Sequence, residues 1–243
     1  MGSADAPNKP LAGSTALVTG ASRGIGLAIA RKLGELGSRL SLCAKDTTRL
    51  EAAASSLRKD GFEVLATVAD VTHADEIQKL VDKTQRQLAP IDILINNAGI
   101  GRFGPAHQFA EADWDAVLDT NLKSVFLVSR AVVPQMIERK RGHIVNISSL
   151  TGKNAFAGGG IYCASKWGLM GLTACMAEDL RAHNIRVSAV CPGSVATDFS
   201  PHTGRDTSKL LQPADVAHAV ATLVTQAPQS FISEIDLRPT QKP

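Results

Sequence analysis

The fold is decided by the stretch Thr19-Gly20-Ala21-Ser22-Arg23-Gly24-Ile25-Gly26. It ends a short apolar and β-branched run, residues 15–19, and opens a segment, residues 24–36, whose apolar residues recur at helical spacing. A strand, a tight turn and a helix N-terminus present backbone N–H groups and a positive dipole end, where a pyrophosphate can bind. Glycine suits such a turn because any Cβ would obstruct the approach of the phosphates or of the helix. We expect a phosphate-binding turn made of Gly20, Ser22, Arg23, Gly24, Ile25 and Gly26.

The rest of the chain repeats this alternation. Apolar runs at residues 40–44, 64–68, 91–96, 143–147, 186–190 and 235–237 alternate with helical patterns at 47–59, 74–88, 113–139, 162–183 and 213–225. Such alternation predicts parallel strands joined by crossover helices that cover both faces of the sheet. We predict an α/β fold, a Rossmann-type doubly wound parallel sheet of about seven strands. We place it in a single domain over residues 11–243, after a flexible polar tail at 1–10.

Composition excludes several classes of protein. The 243 residues are 44% hydrophobic and 20% charged, which is typical of a globular domain, and the net charge of +3 is too small to indicate nucleic-acid binding. No apolar stretch reaches membrane-spanning length, and the N-terminus lacks a signal pattern, so we predict a cytoplasmic protein without membrane or nucleic-acid partners. The four cysteines form no Cys-x-x-Cys pair and predict neither a metal site nor disulfides.

A tyrosine and a lysine, Tyr162 and Lys166, lie four residues apart within a predicted helix and therefore share one face. A nearby ammonium stabilises the phenolate, so we expect Lys166 to lower the pKa of Tyr162 towards the range useful for proton transfer. Ser149 lies in the segment after the predicted strand 143–147, and its hydroxyl could hydrogen-bond a substrate carbonyl oxygen. Its neighbour Ser148 is assigned a backbone or packing role.

These clusters, together with Asn96-Asn97-Ala98-Gly99, resemble in order and spacing the short-chain dehydrogenase/reductase family over nearly the whole chain. Ser149 precedes Tyr162 by 13 residues, as the family's serine does. The resemblance implies a catalytic tetrad of Asn121, Ser149, Tyr162 and Lys166. In it, Asn121 would hold a water that links Lys166 to solvent, although by its residue type alone it reads as a solvated or capping amide.

The resemblance also implies a nicotinamide dinucleotide site. The second predicted strand ends in Ala44-Lys45, where members specific for NAD carry an acid, so Lys45 and Arg23 favour NADPH/NADP+ over NADH. Alternatively, Lys45 simply points to solvent. The resemblance further implies that Asp70 and Val71 contact adenine and that Asn97, Ala98 and Gly99 contact the ribose of the adenosine. The nicotinamide is expected to contact Pro192, Gly193, Val195 and Thr197. Tyr162 and Lys166 are also implied to contact the cofactor. The asparagines could instead serve only to satisfy buried backbone groups.

The predicted function is NADPH-dependent reduction of a ketone or 3-oxoacyl carbonyl, on a small-molecule or acyl-thioester substrate. Two alternatives stay open: an NAD-linked alcohol dehydrogenase, and a nucleotide-binding regulator without catalysis. The resemblance implies a homotetramer or homodimer formed through the helices that carry Tyr162 and Asn121. The terminal residues 238–243 depart from the Gly-rich endings of many 3-oxoacyl reductases, which weakens the acyl-carrier interpretation.

Substrate contacts are less sharply predicted. Residues 194–212 have the composition of a short mobile lid, in which His202, Arg205 and Lys209 either attract an acidic substrate or are merely solvated. Phe103, Asn154 and Phe156 are candidates for the pocket wall, with simple packing as the alternative.

Overall fold

The structure is a computed structural model that describes residues 9–199 and 206–241. Its centre is one parallel sheet of seven strands in the order β3-β2-β1-β4-β5-β6-β7. The strands are β1 (Thr15–Thr19), β2 (Arg39–Ala44), β3 (Val64–Val68), β4 (Ile93–Asn96), β5 (Gly142–Ile147), β6 (Ile185–Pro192) and β7 (Glu234–Leu237). The predicted doubly wound sheet is therefore confirmed.

Helices cover both faces of the sheet. They are α1 (Gly24–Glu35), α2 (Thr47–Lys59), α3 (Ala74–Gln87), α4 (Glu111–Leu118), α5 (Ser124–Arg139), α6 (Gly160–Arg181) and α7 (Pro213–Val224). Successive residues of a strand point to opposite faces, so β1 supplies Val18 to the core under α1, α2 and α7, and Leu17 to the core under α3, α5 and α6. Both faces of the inner strands β1, β2, β4, β5 and β6 are buried, which is why these strands read as nearly continuous apolar runs.

The sheet has its switch point between β1 and β4. From β1 the chain proceeds outward through β2 and β3, then crosses back so that β4 pairs with the other side of β1. Loops leaving β1 and β4 therefore diverge at the carboxyl edge and open a crevice, which is where ligands bind in sheets of this kind.

A single helix over 113–139 was expected, but two α-helices separated by a π-helical turn, Asp119–Lys123, occupy this region. The apolar spacing continues through the turn and does not reveal it. Tertiary hydrogen bonds of Asn121, in the middle of the turn, provide the physical reason and are described below.

Smaller boundary differences have similar causes. The fourth strand begins at Ile93 rather than 91, because the Ile91 N–H donates to the Gln135 side chain instead of to a strand. At the predicted tail, the structure describes only Lys9 and Pro10, next to the buried Leu11, whose N–H donates to the Leu36 carbonyl. The division of the chain at residues 10 and 11 stays a prediction.

Candidate active site

A cavity of about 1390 Å³ opens at the carboxyl edge of the sheet, around the switch point. It is lined by residues that follow β1, β2, β3, β4, β5 and β6. Ligand pockets are commonly about 300–1,000 Å³, so this cavity has room for an extended ligand together with a second, smaller one. All the residues predicted for catalysis and cofactor binding except Asn121 line it.

The Gly-rich turn forms one wall of the cavity. Gly20 has φ +63°, and a Cβ on it would lie 2.9 Å from the Cα of Ala98. A Cβ on Gly26 would collide with the Gly20 carbonyl oxygen, so helix and strand approach each other only because both residues are glycine. Helix α1 starts at Gly24 with no side-chain cap and no acidic residue in its first turn. Its first-turn N–H groups fit a phosphate ligand.

Asn97 braces this turn against β4. Its Nδ2 donates to the carbonyl oxygens of Thr19 (2.9 Å) and Gly20 (3.1 Å). The Thr19 hydroxyl in turn accepts from the N–H groups of Asn97 and Ala98. The backbone-satisfying role considered for the asparagines therefore applies to Asn97, which also lines the cavity.

Two cations lie beside the turn, and each contacts a carboxylate. Lys45 Nζ lies 3.0 Å from Asp70 Oδ2, and Arg23 Nη1 lies 2.8 Å from Asp198 Oδ2. Although burial opposes ionisation of Asp70, hydrogen bonds from Thr72 and Lys45 hold its pKa below the usual range. Lys45 thus lies against Asp70, at the end of the sheet where the 2′-phosphate ligand was expected.

The acid nearest to Lys45 in sequence, Asp46, is already engaged. Its carboxylate caps α2 by accepting the Arg49 N–H at 2.9 Å, and it forms an ion pair with the Arg49 guanidinium. Arg49 also lines the cavity, a position that sequence reasoning missed because a helix-surface arginine carries no distinguishing signal. Val71, the other predicted adenine contact, lines the cavity beside Asp70.

Tyr162 and Lys166 meet on the first turns of α6. The ammonium of Lys166 lies 5.8 Å from the centroid of the Tyr162 ring and donates to the Ile147 carbonyl at 2.9 Å. Burial raises the pKa of Tyr162 to about 12, against the lowering effect of a hydrogen bond with Ser149. Burial lowers the pKa of Lys166 to about 8. The expectation that the pKa of Tyr162 falls towards the range useful for proton transfer is thus wrong for this structure, because desolvation of the phenol dominates.

Ser149 completes this group from the end of β5. Its hydroxyl accepts the Thr151 N–H at 3.2 Å and approaches the Pro192 carbonyl at 3.4 Å. Ser148 is buried and its N–H donates to the Val190 carbonyl, a backbone role as expected. Of the two serines, Ser149 is the one whose hydroxyl lowers the pKa of Tyr162.

Asn121 supports the site from beneath rather than lining it. It is only 1% exposed, so it is not the solvated residue that its type suggests. Its Oδ1 accepts the Ile100 N–H at 2.8 Å, and its Nδ2 donates to the Ile100 carbonyl at 2.9 Å and to Ser165 Oγ at 3.0 Å. Both amide hydrogens are used, and together these bonds tie the loop after β4 to α6, next to Lys166.

The opposite wall follows β6. Pro192, Gly193, Val195 and Thr197 line the cavity, and the Gly193 N–H donates to the Leu237 carbonyl at 2.8 Å. This contact brings the segment after β7 to the cavity, where Arg238, Pro239, Thr240 and Gln241 form part of the wall. Sequence reasoning noted the composition of this segment but not its position, which depends on the pairing of β7 with β6.

The predicted substrate contacts divide into three groups. Phe103 and Phe156 line the cavity, whereas Asn154 does not, because its amide turns back to donate to the Leu150 carbonyl. Lys209 also lies away from the cavity and forms an ion pair with Asp206. His202 and Arg205, in the predicted lid, lie outside the described residues.

One cluster beside the site has potential metal-ligand atoms. Cys191, Glu234 and Asp236 place their ligand atoms within 4.8 Å of one another. The ammonium of Lys153 contacts both carboxylates, and burial raises the pKa of the Cys191 thiol to about 11. The ammonium of Lys153 thus neutralises the two carboxylates in the way that a metal ion would. The thiolate form of Cys191, which is the form that binds metals, is disfavoured.

Among the helices formed by residues 9–199 and 206–241, none has the length and apolarity needed to cross a bilayer.

Comparison with known proteins identifies the family of this chain. The family described as short chain dehydrogenase matches residues 14–208. The chain is 41% identical over 190 residues to gluconate 5-dehydrogenase of Gluconobacter oxydans, covering 78% of this chain and 74% of the relative. It is 36% identical over 231 residues to a 3-oxoacyl-(acyl-carrier-protein) reductase of Synechocystis, covering 92% and 94%.

A solved structure gives the same result. A metagenomic short-chain oxidoreductase in complex with NADP superposes with a TM-score of 0.86 at 48% identity, covering 96% of this chain and 100% of that one. The chain belongs to the short-chain dehydrogenase/reductase family and is an oxidoreductase acting on CH–OH/C=O groups.

Proposed function

We propose that this protein is an NADP(H)-dependent ketoreductase, which reduces a ketone or 3-oxoacyl carbonyl to an alcohol with Tyr162 as the general acid. The observation that carries the proposal is that Ser149, Tyr162 and Lys166 share one cavity with the Gly-rich turn. The NADP-bound relative supports the choice of cofactor, and the 3-oxoacyl reductase supports carbonyl reduction. When bound, the dinucleotide supplies the hydride that the carbonyl carbon receives.

The residues of the site divide the remaining work. The Ser149 hydroxyl donates a hydrogen bond to the carbonyl oxygen and so stabilises the negative charge that develops there. Because its pKa is about 12, Tyr162 is a neutral phenol at pH 7, the form that can protonate this oxygen. Lys166, with a pKa of about 8, carries a proton at pH 7 that can return to Tyr162. Asn121 positions the loop after β4 against α6. Its Oδ1 accepts one hydrogen bond and keeps a second lone pair, with which it can hold a water that relays protons to Lys166.

For the cofactor, we propose that Arg23 and Lys45 exchange their carboxylate partners, Asp198 and Asp70, for a 2′-phosphate. Parallel fluorescence titrations with NADPH and NADH test this, and a preference of about tenfold for NADPH, about 1.4 kcal/mol, is expected. Lys45→Asp should abolish the preference, whereas Lys59→Asp, an equal charge change at an exposed residue outside the cavity, should leave it. Tighter binding of NADH would instead support an NAD-linked alcohol dehydrogenase.

Catalysis is tested by oxidation of NADPH with a panel of ketones and 3-oxoacyl thioesters. Tyr162→Phe should abolish turnover while the Kd for NADPH stays within about twofold, since only the proton donor is removed. Full activity in this variant would contradict the assigned role. A protein that binds NADPH but reduces no carbonyl compound would be the nucleotide-binding regulator considered above.

We further propose that the protein is a homodimer or homotetramer through α5 and α6. Phe126 on α5 and Trp167 on α6 are 46% and 53% exposed, and aromatic residues of this exposure are typical of interfaces. Light scattering should give two or four times the chain mass, and Trp167→Glu should lower it. A monomeric mass for the unaltered protein would contradict this assignment.

A further inference from the structure

Two phenylalanines flank the only tyrosine of the chain, and a third packs against one of them. The ring centroid of Tyr162 lies 5.4 Å from that of Phe103 and 5.8 Å from that of Phe199, and Phe103 lies 6.1 Å from Phe156. Tyr162 is 8% exposed, whereas the three phenylalanines are 42%, 45% and 40% exposed and all line the cavity. We refer to Phe103, Phe156 and Phe199 as the aromatic cage.

The cage is built from three separate segments, which follow β4, β5 and β6. Two glycines make room for its rings. A Cβ on Gly101 would lie 2.7 Å from Phe103 and 3.1 Å from Phe199, and a Cβ on Gly159 would collide with Phe156. Any other residue at these two positions would displace a ring from the wall beside Tyr162.

A backbone bridge holds two of the segments together. The Gly104 N–H donates to the Gly158 carbonyl at 2.8 Å, and these residues have φ values of +159° and +81°. Such values are accessible to glycine at little cost, so the loop carrying Phe103 can lie against the loop carrying Phe156. The bridge therefore fixes the backbone from which Phe103 and Phe156 project before a ligand arrives, which lowers the entropy cost of binding between these two rings.

The chemistry of this wall restricts the substrate. A polyhydroxy ketone would place its hydroxyls against ring faces that offer no conventional hydrogen-bond partner, and desolvating them there is unfavourable. A flat apolar group would instead cover three rings that are nearly half exposed, with tilted and edge-on contacts that aromatic groups favour. We propose that the aromatic cage selects ketones that carry an aromatic group next to the carbonyl carbon. This inference rests on the proposed ketoreductase function.

The test compares kcat/KM with NADPH for acetophenone, butanone and dihydroxyacetone. The unaltered enzyme should prefer acetophenone by at least about tenfold over each of the other two. Phe103→Ala, Phe156→Ala and Phe199→Ala should each lower the ratio of kcat/KM for acetophenone to that for butanone by about 3- to 10-fold, mainly through KM, as expected for loss of one aromatic contact. Phe231→Ala removes a phenylalanine of similar exposure outside the cavity and should leave the ratio unchanged.

A binding measurement separates this proposal from the proposed function. Saturation-transfer NMR should detect acetophenone on the protein with NADP+, and the signal should weaken in the three cage variants while their Kd for NADPH stays the same. If acetophenone binds in this way but no ketone is reduced, the cage stands and the ketoreductase assignment fails. If ketones are reduced with equal efficiency, or if the cage variants leave the ratio unchanged, the cage proposal is overturned.

Discussion

Replacing Asn121 by leucine tests the support beneath the site. Leucine has the same branched skeleton of four side-chain heavy atoms but cannot form the three hydrogen bonds of 2.8, 2.9 and 3.0 Å to Ile100 and Ser165. Each such bond contributes about 1 kcal/mol net, and leaving the backbone groups of Ile100 unpaired adds to the loss. We expect the free energy of unfolding to fall by about 3–5 kcal/mol. For a chain of this length, that corresponds to a decrease in Tm of about 6–10 °C.

Urea denaturation followed by circular dichroism measures this difference. The matched control is Asn154→Leu, which removes one hydrogen bond from an exposed amide and should cost less than about 1 kcal/mol. Asn121→Asp gives a second readout, because burial raises the pKa of the new carboxyl and only its protonated form can donate. That variant should therefore be more stable at pH 5 than at pH 8. A loss below about 1 kcal/mol in Asn121→Leu would refute the reasoning.

Three further predictions concern buried groups and the turn. Burial lowers the pKa of His143 to about 3, so below pH 6.5 this side chain is protonated in the unfolded chain but stays neutral in the folded one. The contribution of His143 to the free energy of unfolding should be complete above pH 6.5 and fall by about 1.4 kcal/mol per pH unit between pH 6.5 and pH 3. His143→Gln should flatten this slope in urea titrations. Lys166→Met should be inactive yet about 3 kcal/mol more stable at pH 7, because burial lowers the pKa of Lys166 from 10.5 to about 8 and each pKa unit corresponds to about 1.4 kcal/mol. The gain should vanish as the pH rises from 8 to 10.5, and a less stable variant at pH 7 would contradict this. Gly26→Ala should abolish NADPH binding in the titration, because its Cβ meets the Gly20 carbonyl. The control is Gly171→Ala inside α6, where no atom lies within 4 Å of the new Cβ. This control should retain binding and raise the free energy of unfolding by about 0.5–1 kcal/mol in thermal melts.

Features encoded by local periodicity could be predicted from the sequence. Strand β1 and helix α2 have the predicted bounds, 15–19 and 47–59, because each is bounded by turn or capping residues next to a clear apolar pattern. The Gly-rich turn was equally accessible, since its glycines are required by backbone geometry and close approach.

Features that depend on distant contacts were not accessible. The π-helical turn forms because Asn121 bonds residues 21 and 44 positions away, whereas its own neighbours continue a helical pattern. The ion pair of Arg23 with Asp198 spans 175 positions. Phe199 gave no signal as a cage residue, because only the convergence of three loops brings it to Tyr162.

The strand order described above also governs how the protein reaches its fold. Strand β1 can pair with β2 as soon as residue 44 is made, but its other neighbour, β4, begins only at residue 93. The second edge of β4 stays unpaired until β5, which begins at residue 142, has been made. Helix α1 packs against α7, which ends at residue 224. Contacts so distant in sequence require large loops to close first, which slows folding. A growing chain therefore exposes an unpaired edge of β1 and β4 for much of its synthesis, and completion of the C-terminal third is what closes the core.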